Sequence, residues 1–160
     1  MKTIIVYDSV FGNTEKIAKT MAQSIENQCE IKITHINQLQ LKDLQDINLL
    51  IIGSPTRGFE PTKPIAEALR KIKVKDYPFL MVAVFDTRID VVKINNIILN
   101  IFVKFCGYAV DTMEKIVRNN SLRLVGEGKG FFVEESEGPL RVDETNKAAQ
   151  WVRDIVAAAN

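Results

Sequence analysis

The sequence predicts an α/β domain: a five-stranded parallel sheet with helices on both faces. Three observations carry that reading. Short, wholly apolar runs recur over residues 4–7, 49–52 and 79–85, without the alternation expected of a sheet wet on one side. Segments of helical period lie between them. Glycine, proline and small hydroxyl residues gather at the ends of the runs, over 8–14 and 53–61.

Each element follows in order. Strand 4–7 leads into a helix over 14–27, where Ile17, Met21 and Ile25 fall one turn apart beside Ala18 and Ala22. A strand over 31–34 and a short helix over 39–45 precede the apolar strand 49–52. The helix over 61–72 sets Ile65, Leu69 and Ile72 on one face and carries its prolines in the first turn, where a missing N–H costs least. Strand 79–85 is followed by a helix over 90–105 with Ile94, Ile97, Ile98, Ile101 and Phe105 at helical spacing. Gly107 marks a break, and a helix over 111–119 resumes with Met113, Ile116 and Val117. A fifth strand starts near Leu122 and resumes over 131–133, interrupted by the glycine-rich stretch 126–130. The last helix, over 144–158, carries Ala148, Trp151, Val152 and Ile155. Strands and helices in alternation imply right-handed crossovers and a single domain over 1–160.

Composition narrows the function. A net charge of +1 gives no electrostatic footprint for nucleic acid or an anionic membrane. One histidine, His35, and two distant cysteines, Cys29 and Cys106, have no metal-ligand spacing, so no metal is expected and both thiols read as ordinary. His35 reads as structural and Trp151 as core. The apolar tract 97–105 is broken by Asn100 and Lys104 and is too short to span a bilayer. Residues 2–8 read as a buried strand and not as a leader, so a cytoplasmic protein is expected. Helix 90–105 is apolar around much of its circumference; burial accounts for most of that, and a homodimer contact is a second use for it.

In an open parallel sheet the ligand lies beyond the C-terminal strand ends, where the strand order reverses. After the first strand comes Asp8-Ser9-Val10-Phe11-Gly12-Asn13-Thr14. A helix N-terminus there offers free N–H groups and about half a positive charge. Gly12 admits close approach, and Ser9, Asn13 and Thr14 add short donors. Helix capping alone is the simpler use of Asn13 or Thr14. The lysine of GxxxxGK[ST] and the three glycines of GxGxxG are both missing, which suits a monophosphate better than a triphosphate. The loops after the third and fourth strands supply Ser54, Pro55, Thr56, Arg57, Gly58 and Phe59, then Phe85, Asp86, Thr87 and Arg88. Aromatic rings beside an anion cradle suggest a flat ligand held by stacking, against the simpler alternative that Phe59 and Phe85 pack the core.

These residues resemble the flavodoxin superfamily, and the chain is most similar to its small single-domain members. The opening matches at Ile5, Val6, Tyr7, Ser9, Gly12, Thr14 and Ala18, with Met21 where a branched aliphatic is usual. Gly-Ser-Pro-Thr over 53–56, Phe-Asp-Thr-Arg over 85–88, and the late segments 130–133 and 137–140 extend the likeness along the whole chain. The resemblance implies strand order 2-1-3-4-5 and an FMN site. Ser9, Val10, Phe11, Gly12, Asn13 and Thr14 would hold the phosphate. Ser54, Pro55, Thr56, Arg57, Gly58 and Phe59 would border one side of the ring, and Phe85, Asp86, Thr87 and Arg88 the other. Gly58 would let a peptide turn its carbonyl toward the protonated ring nitrogen of reduced flavin. Two departures stand out. Electron-carrier flavodoxins are typically strongly acidic, whereas this chain is near neutral and places Arg57 and Arg88 toward the ring, which should stabilise reduced, anionic flavin or receive an anionic substrate. No tyrosine or tryptophan occupies either ring-facing loop.

Three functions follow from the resemblance: an FMN-binding electron-transfer protein serving a redox partner protein or a small-molecule acceptor; an FMN-dependent NAD(P)H reductase of quinones or similar acceptors; and a flavodoxin-like interaction module that binds no flavin. No catalytic side chain is assigned.

Overall fold

The computed structural model describes residues 1–90 and 107–160. The helix expected over 90–105, the homodimer contact assigned to it and Cys106 lie outside the described residues, Asp90 apart.

The sheet is parallel, in the order β2-β1-β3-β4-β5. Its strands are β1 (Lys2–Tyr7), β2 (Glu30–His35), β3 (Leu49–Pro55), β4 (Met81–Ile89) and β5 (Arg123–Leu124), with β6 (Lys129–Val133) also paired to β4. β5 pairs with Met81 and Val82, and β6 with Phe85 to Ile89, so the two short strands share one edge of β4 in succession. Val125 to Gly128 separate them, as the glycine-rich stretch predicts. Gly126 there sits at φ 64, a left-handed turn that glycine adopts without a Cβ clash.

The helices are α1 (Asn13–Ile25), α2 (Lys63–Lys71), α3 (Ala109–Asn119) and α4 (Glu144–Ala159). Ile17, Met21 and Ile25 of α1 join Ala148, Val152 and Ile155 of α4 over one sheet face, with Ile5, Ile51, Ala83 and Phe85. Ile65 and Leu69 of α2 join Met113 and Val117 of α3 over the other, with Ile4, Val6, Leu50, Ile52, Val82 and Val84. Successive strand residues thus divide between two cores, which explains why β3 and most of β4 are apolar without alternation.

Two details depart from expectation. The short helix over 39–45 is a pair of 3-10 turns, Ile36–Gln38 and Leu41–Leu44, each with one buried residue, Ile36 and Leu44. The fourth strand begins at Met81 rather than 79, and Phe79 is 84% exposed. β2, on the open edge, exposes Lys32 and Ile33, whereas β1 is buried from Thr3 onward. No described helix is long and apolar enough to cross a membrane.

Candidate functional site

The register fixes the site. Tyr7, Gly53 and Phe85 lie side by side across β1, β3 and β4, so the loops that follow leave the sheet together at its C-terminal edge. They enclose a cleft of about 450 Å³ lined by Val10, Phe11, Asn13, Thr14, Pro55, Thr56, Arg57, Gly58, Thr87 and Arg88 among the expected residues. That volume lies within the usual range for small-molecule sites.

At one end of the cleft α1 begins. Gly12, its N-cap, sits at φ 83, where an L side chain is strained. The first-turn N–H groups of Asn13 and Thr14 donate to no described residue, whereas the next, of Glu15, reaches the Ser9 hydroxyl at 3.3 Å. Ser9 therefore supports the loop from within. Orphan donors at a positive helix end, joined by a buried hydroxyl, suit an anion. That hydroxyl belongs to Thr14, 1% exposed, with its Oγ1 2.8 Å from the Oγ1 of Thr87.

The β3 loop ends in a two-residue hairpin. Arg57 and Glu60 exchange backbone hydrogen bonds of 2.9 and 3.1 Å, and the intervening Gly58 and Phe59 have φ 56 and 70. Positive φ at both central residues is the type I′ pattern, which glycine accepts and phenylalanine rarely does. Arg57 extends from this tip, its guanidinium 5.8 Å from the centre of the Phe11 ring. Ser54 is fully buried; its hydroxyl accepts the Thr62 N–H at 2.8 Å and donates to the Pro55 carbonyl at 3.0 Å, shaping the loop from below.

After β4 the side chains alternate. Thr87 faces α1, while Asp86 and Arg88 face α3. Phe85 is a correction to the sequence reading: it is fully buried, edge-on to Phe131 and Trp151 at 6.1 and 6.3 Å between ring centres, and has no face toward the cleft. It lies on the same side as Thr87 but two residues deeper in the strand, beneath the cleft floor. Trp151 shares that cluster, and its Nε1 donates to the Glu127 carbonyl at 3.2 Å.

Asp86 is also fully buried. It accepts from Arg88 Nε at 2.5 Å and Nη2 at 2.7 Å, from the Val110 N–H at 2.9 Å and from the Thr56 hydroxyl at 3.1 Å. Burial pushes its carboxyl above the ordinary carboxylate value, and the same donors pull it back. A proton on either oxygen would face a donor, so the geometry suits the ionised form. Asp86 does not line the cleft; Arg88 does.

Sequence reasoning missed the fourth wall: Ile89, Val133, Ser136 and Glu137. The segment after β6 folds back through a Val133–Leu140 bridge and a Glu134 N–H to Pro139 carbonyl bond of 2.9 Å. Its Glu137 carbonyl accepts from Asn13 Nδ2 at 2.9 Å, tying this strap to the start of α1. The pairing of β6 with the C-terminal half of β4 carries the strap there, and the sequence signal was the late Gly-Phe-Phe-Val and Glu-Gly-Pro-Leu segments. Gly138 packs against Asn13 at φ 113, and a Cβ there would stand 2.7 Å from Nδ2. Gly138→Ala is expected to push the strap off Asn13 and cost about 1–2 kcal/mol, read as a lower urea midpoint with an unchanged slope.

His35 lies at the neighbouring strand end, its Nε2 3.4 Å from Asp8 and its Nδ1 accepting the Asn37 N–H. Among the described residues no group of His, Cys, Asp and Glu could hold a metal ion.

Comparison with known proteins agrees with this fold. A 78-residue stretch is 32% identical to rubredoxin-oxygen oxidoreductase of Megalodesulfovibrio gigas, covering 45% of this chain and 19% of that protein. The solved rubredoxin oxygen:oxidoreductase of Desulfovibrio gigas superposes with TM-score 0.75 at 18% identity, over 99% of this chain and 36% of the other. This chain thus spans little more than a third of that enzyme. Full-length likeness is found to oxidised flavodoxin 2 from Bacillus cereus, with TM-score 0.73 and 21% identity over 98% and 99% of the two chains. A flavodoxin from Streptococcus pneumonia matches with TM-score 0.73 and 16% identity over 98% and 99%. Residues 4–99 match the flavodoxin domain itself. With well over half of its length matched and the 2-1-3-4-5 sheet in place, the chain belongs to the flavodoxin domain family.

Proposed function

We propose that this cleft binds FMN and that the chain transfers electrons to a redox partner protein or a small acceptor. The orphaned N–H groups at the start of α1 carry the reading, because they open into a cleft wide enough for a ring system. The fit extends along the cleft. Asn13, Thr14 and the amides of 10–14 would hold the phosphate, with Ser9 supporting them; Pro55, Thr56, Arg57 and Gly58 would border the ring, with Thr87 and Arg88 at its other edge. Bound FMN supplies one- or two-electron transfer through its ring.

The hairpin tip gives this chain a response to that chemistry. Turning over the Gly58–Phe59 peptide converts a type I′ turn to type II′, which keeps positive φ only at the first position. Gly58 accepts it in either turn, and Phe59 leaves its unfavourable φ of 70. With FMN bound, the Gly58 carbonyl would be the group to meet a protonated ring nitrogen. Gly58→Ala meets no atom within 4 Å, so its effect is conformational. It is expected to shift the one-electron potentials of FMN-loaded protein; unchanged potentials would remove the peptide from the mechanism.

Absorption spectra and titration of apoprotein with FMN test the main reading. A flavin band that saturates near one equivalent is expected; a colourless protein that ignores added FMN would leave the interaction-module reading. Steady-state NAD(P)H oxidation by the loaded protein separates carrier from reductase, and slow oxidation is expected of the carrier.

A further inference from the structure

Two cations line the cleft among the described residues, Arg57 and Arg88, and they sit in opposite electrostatic settings. The Arg88 guanidinium is held in two contacts by Asp86, lies 3.9 Å from the centre of the Tyr108 ring, and packs so closely on Gly130 that a Cβ there would overlap it. Its side chain is only 11% exposed. Arg57 is exposed, and no described carboxylate lies within ion-pair distance of it.

Asp86 does more than neutralise its neighbour. The Thr56 hydroxyl accepts the Ala109 N–H at 3.2 Å and donates to Asp86, which also takes the Val110 N–H. One carboxylate therefore joins the β3 loop, the end of β4 and the start of α3. An acid at a helix N-terminus also complements the helix dipole.

We propose that Asp86 is a positioning residue of the cleft, cancelling the Arg88 charge and fixing Thr56, so that Arg57 is the cation that acts on bound flavin. This rests on the FMN reading. Both arginines line the cleft, yet only Arg57, with no carboxylate partner among the described residues, should favour the reduced, more negative ring. A unit charge acting through a mixed protein and water medium changes such a preference by on the order of tenfold, about 59 mV for a one-electron couple.

The test compares one-electron potentials of FMN-loaded Arg57→Gln, Asp86→Asn and the Asp86→Asn/Arg88→Gln double variant with wild type. Arg57→Gln should weaken the preference for reduced flavin by on the order of tenfold. Asp86→Asn should strengthen it by a similar factor, since it unmasks Arg88. The double variant exchanges one neutral pair for another and should shift the preference by less than either Arg57→Gln or Asp86→Asn. A double variant that shifts as far as Arg57→Gln, or an Asp86→Asn variant that does not shift, overturns the proposal. Should Asp86→Asn not fold alone, the double variant against Arg57→Gln still decides. A second readout needs no flavin: a urea double-mutant cycle on apoprotein should show Asp86 and Arg88 coupled by at least about tenfold in the folding equilibrium, and additive effects would overturn the clamp. Failure of wild type to take up FMN would refute the flavin reading and with it the role of Arg57, while the cycle still judges the clamp.

Discussion

Phe85→Ala is expected to destabilise the apoprotein by about 3–5 kcal/mol, in the range for removing a buried aromatic ring. The ring has no exposed surface and meets Phe131 and Trp151 edge-on, the geometry in which aromatic quadrupoles attract. It also lies across Gly53 on the adjacent strand, where any Cβ would overlap the ring. That contact is built from both sides, since a large residue on β4 fits because β3 carries glycine opposite it. Gly53→Ala should therefore be severely destabilising beside Phe85 and much less so beside Phe85→Leu, a dependence that a double-mutant cycle reads directly. Thermal unfolding should show the loss as a fall on the order of 10 °C at 2–4 °C per kcal/mol. A Phe85→Ala variant that unfolds like wild type but loses FMN would return Phe85 to the ring.

That residue also shows what the sequence could and could not convey. Burial on both faces makes β3 and β4 legible as core strands, and the turn chemistry after each places the cleft, so the family's sheet and most of the lining were readable. Burial on both faces also erases the alternation that says which way each side chain points. Phe85 and Asp86 looked equivalent as loop residues, yet Phe85 serves the α1 side of the core and Asp86 the α3 side. Arg88 looked like a free cation because its partner is two positions back along the strand, a spacing that puts both on one face. The strap of Ser136 and Glu137 was harder still. It reaches α1 only through the pairing of β6 with β4 and the bond from Asn13, which spans 124 positions in the chain.

Thr14→Val is expected to weaken FMN binding by roughly 10–100-fold, the equivalent of about 1.5–3 kcal/mol for a hydrogen bond to a charged group. The argument turns on one proton. Thr14 and Thr87 bring two hydroxyls to 2.8 Å, and a single O–H lies along that line. The other hydroxyl retains its proton, yet the pair has no further hydrogen bond among the described residues, and both side chains are almost wholly buried. An acceptor at the start of α1 completes the arrangement, and a phosphate oxygen beside the Asn13 and Thr14 amides is well placed to be one. Valine keeps the shape and removes the bond, so the apoprotein should lose only about 1 kcal/mol. Fluorescence titration with FMN and with riboflavin separates causes, because riboflavin has no phosphate. Affinity for FMN should fall while that for riboflavin stays the same. An equal loss for both would mean that Thr14 shapes the ring pocket instead of holding the phosphate.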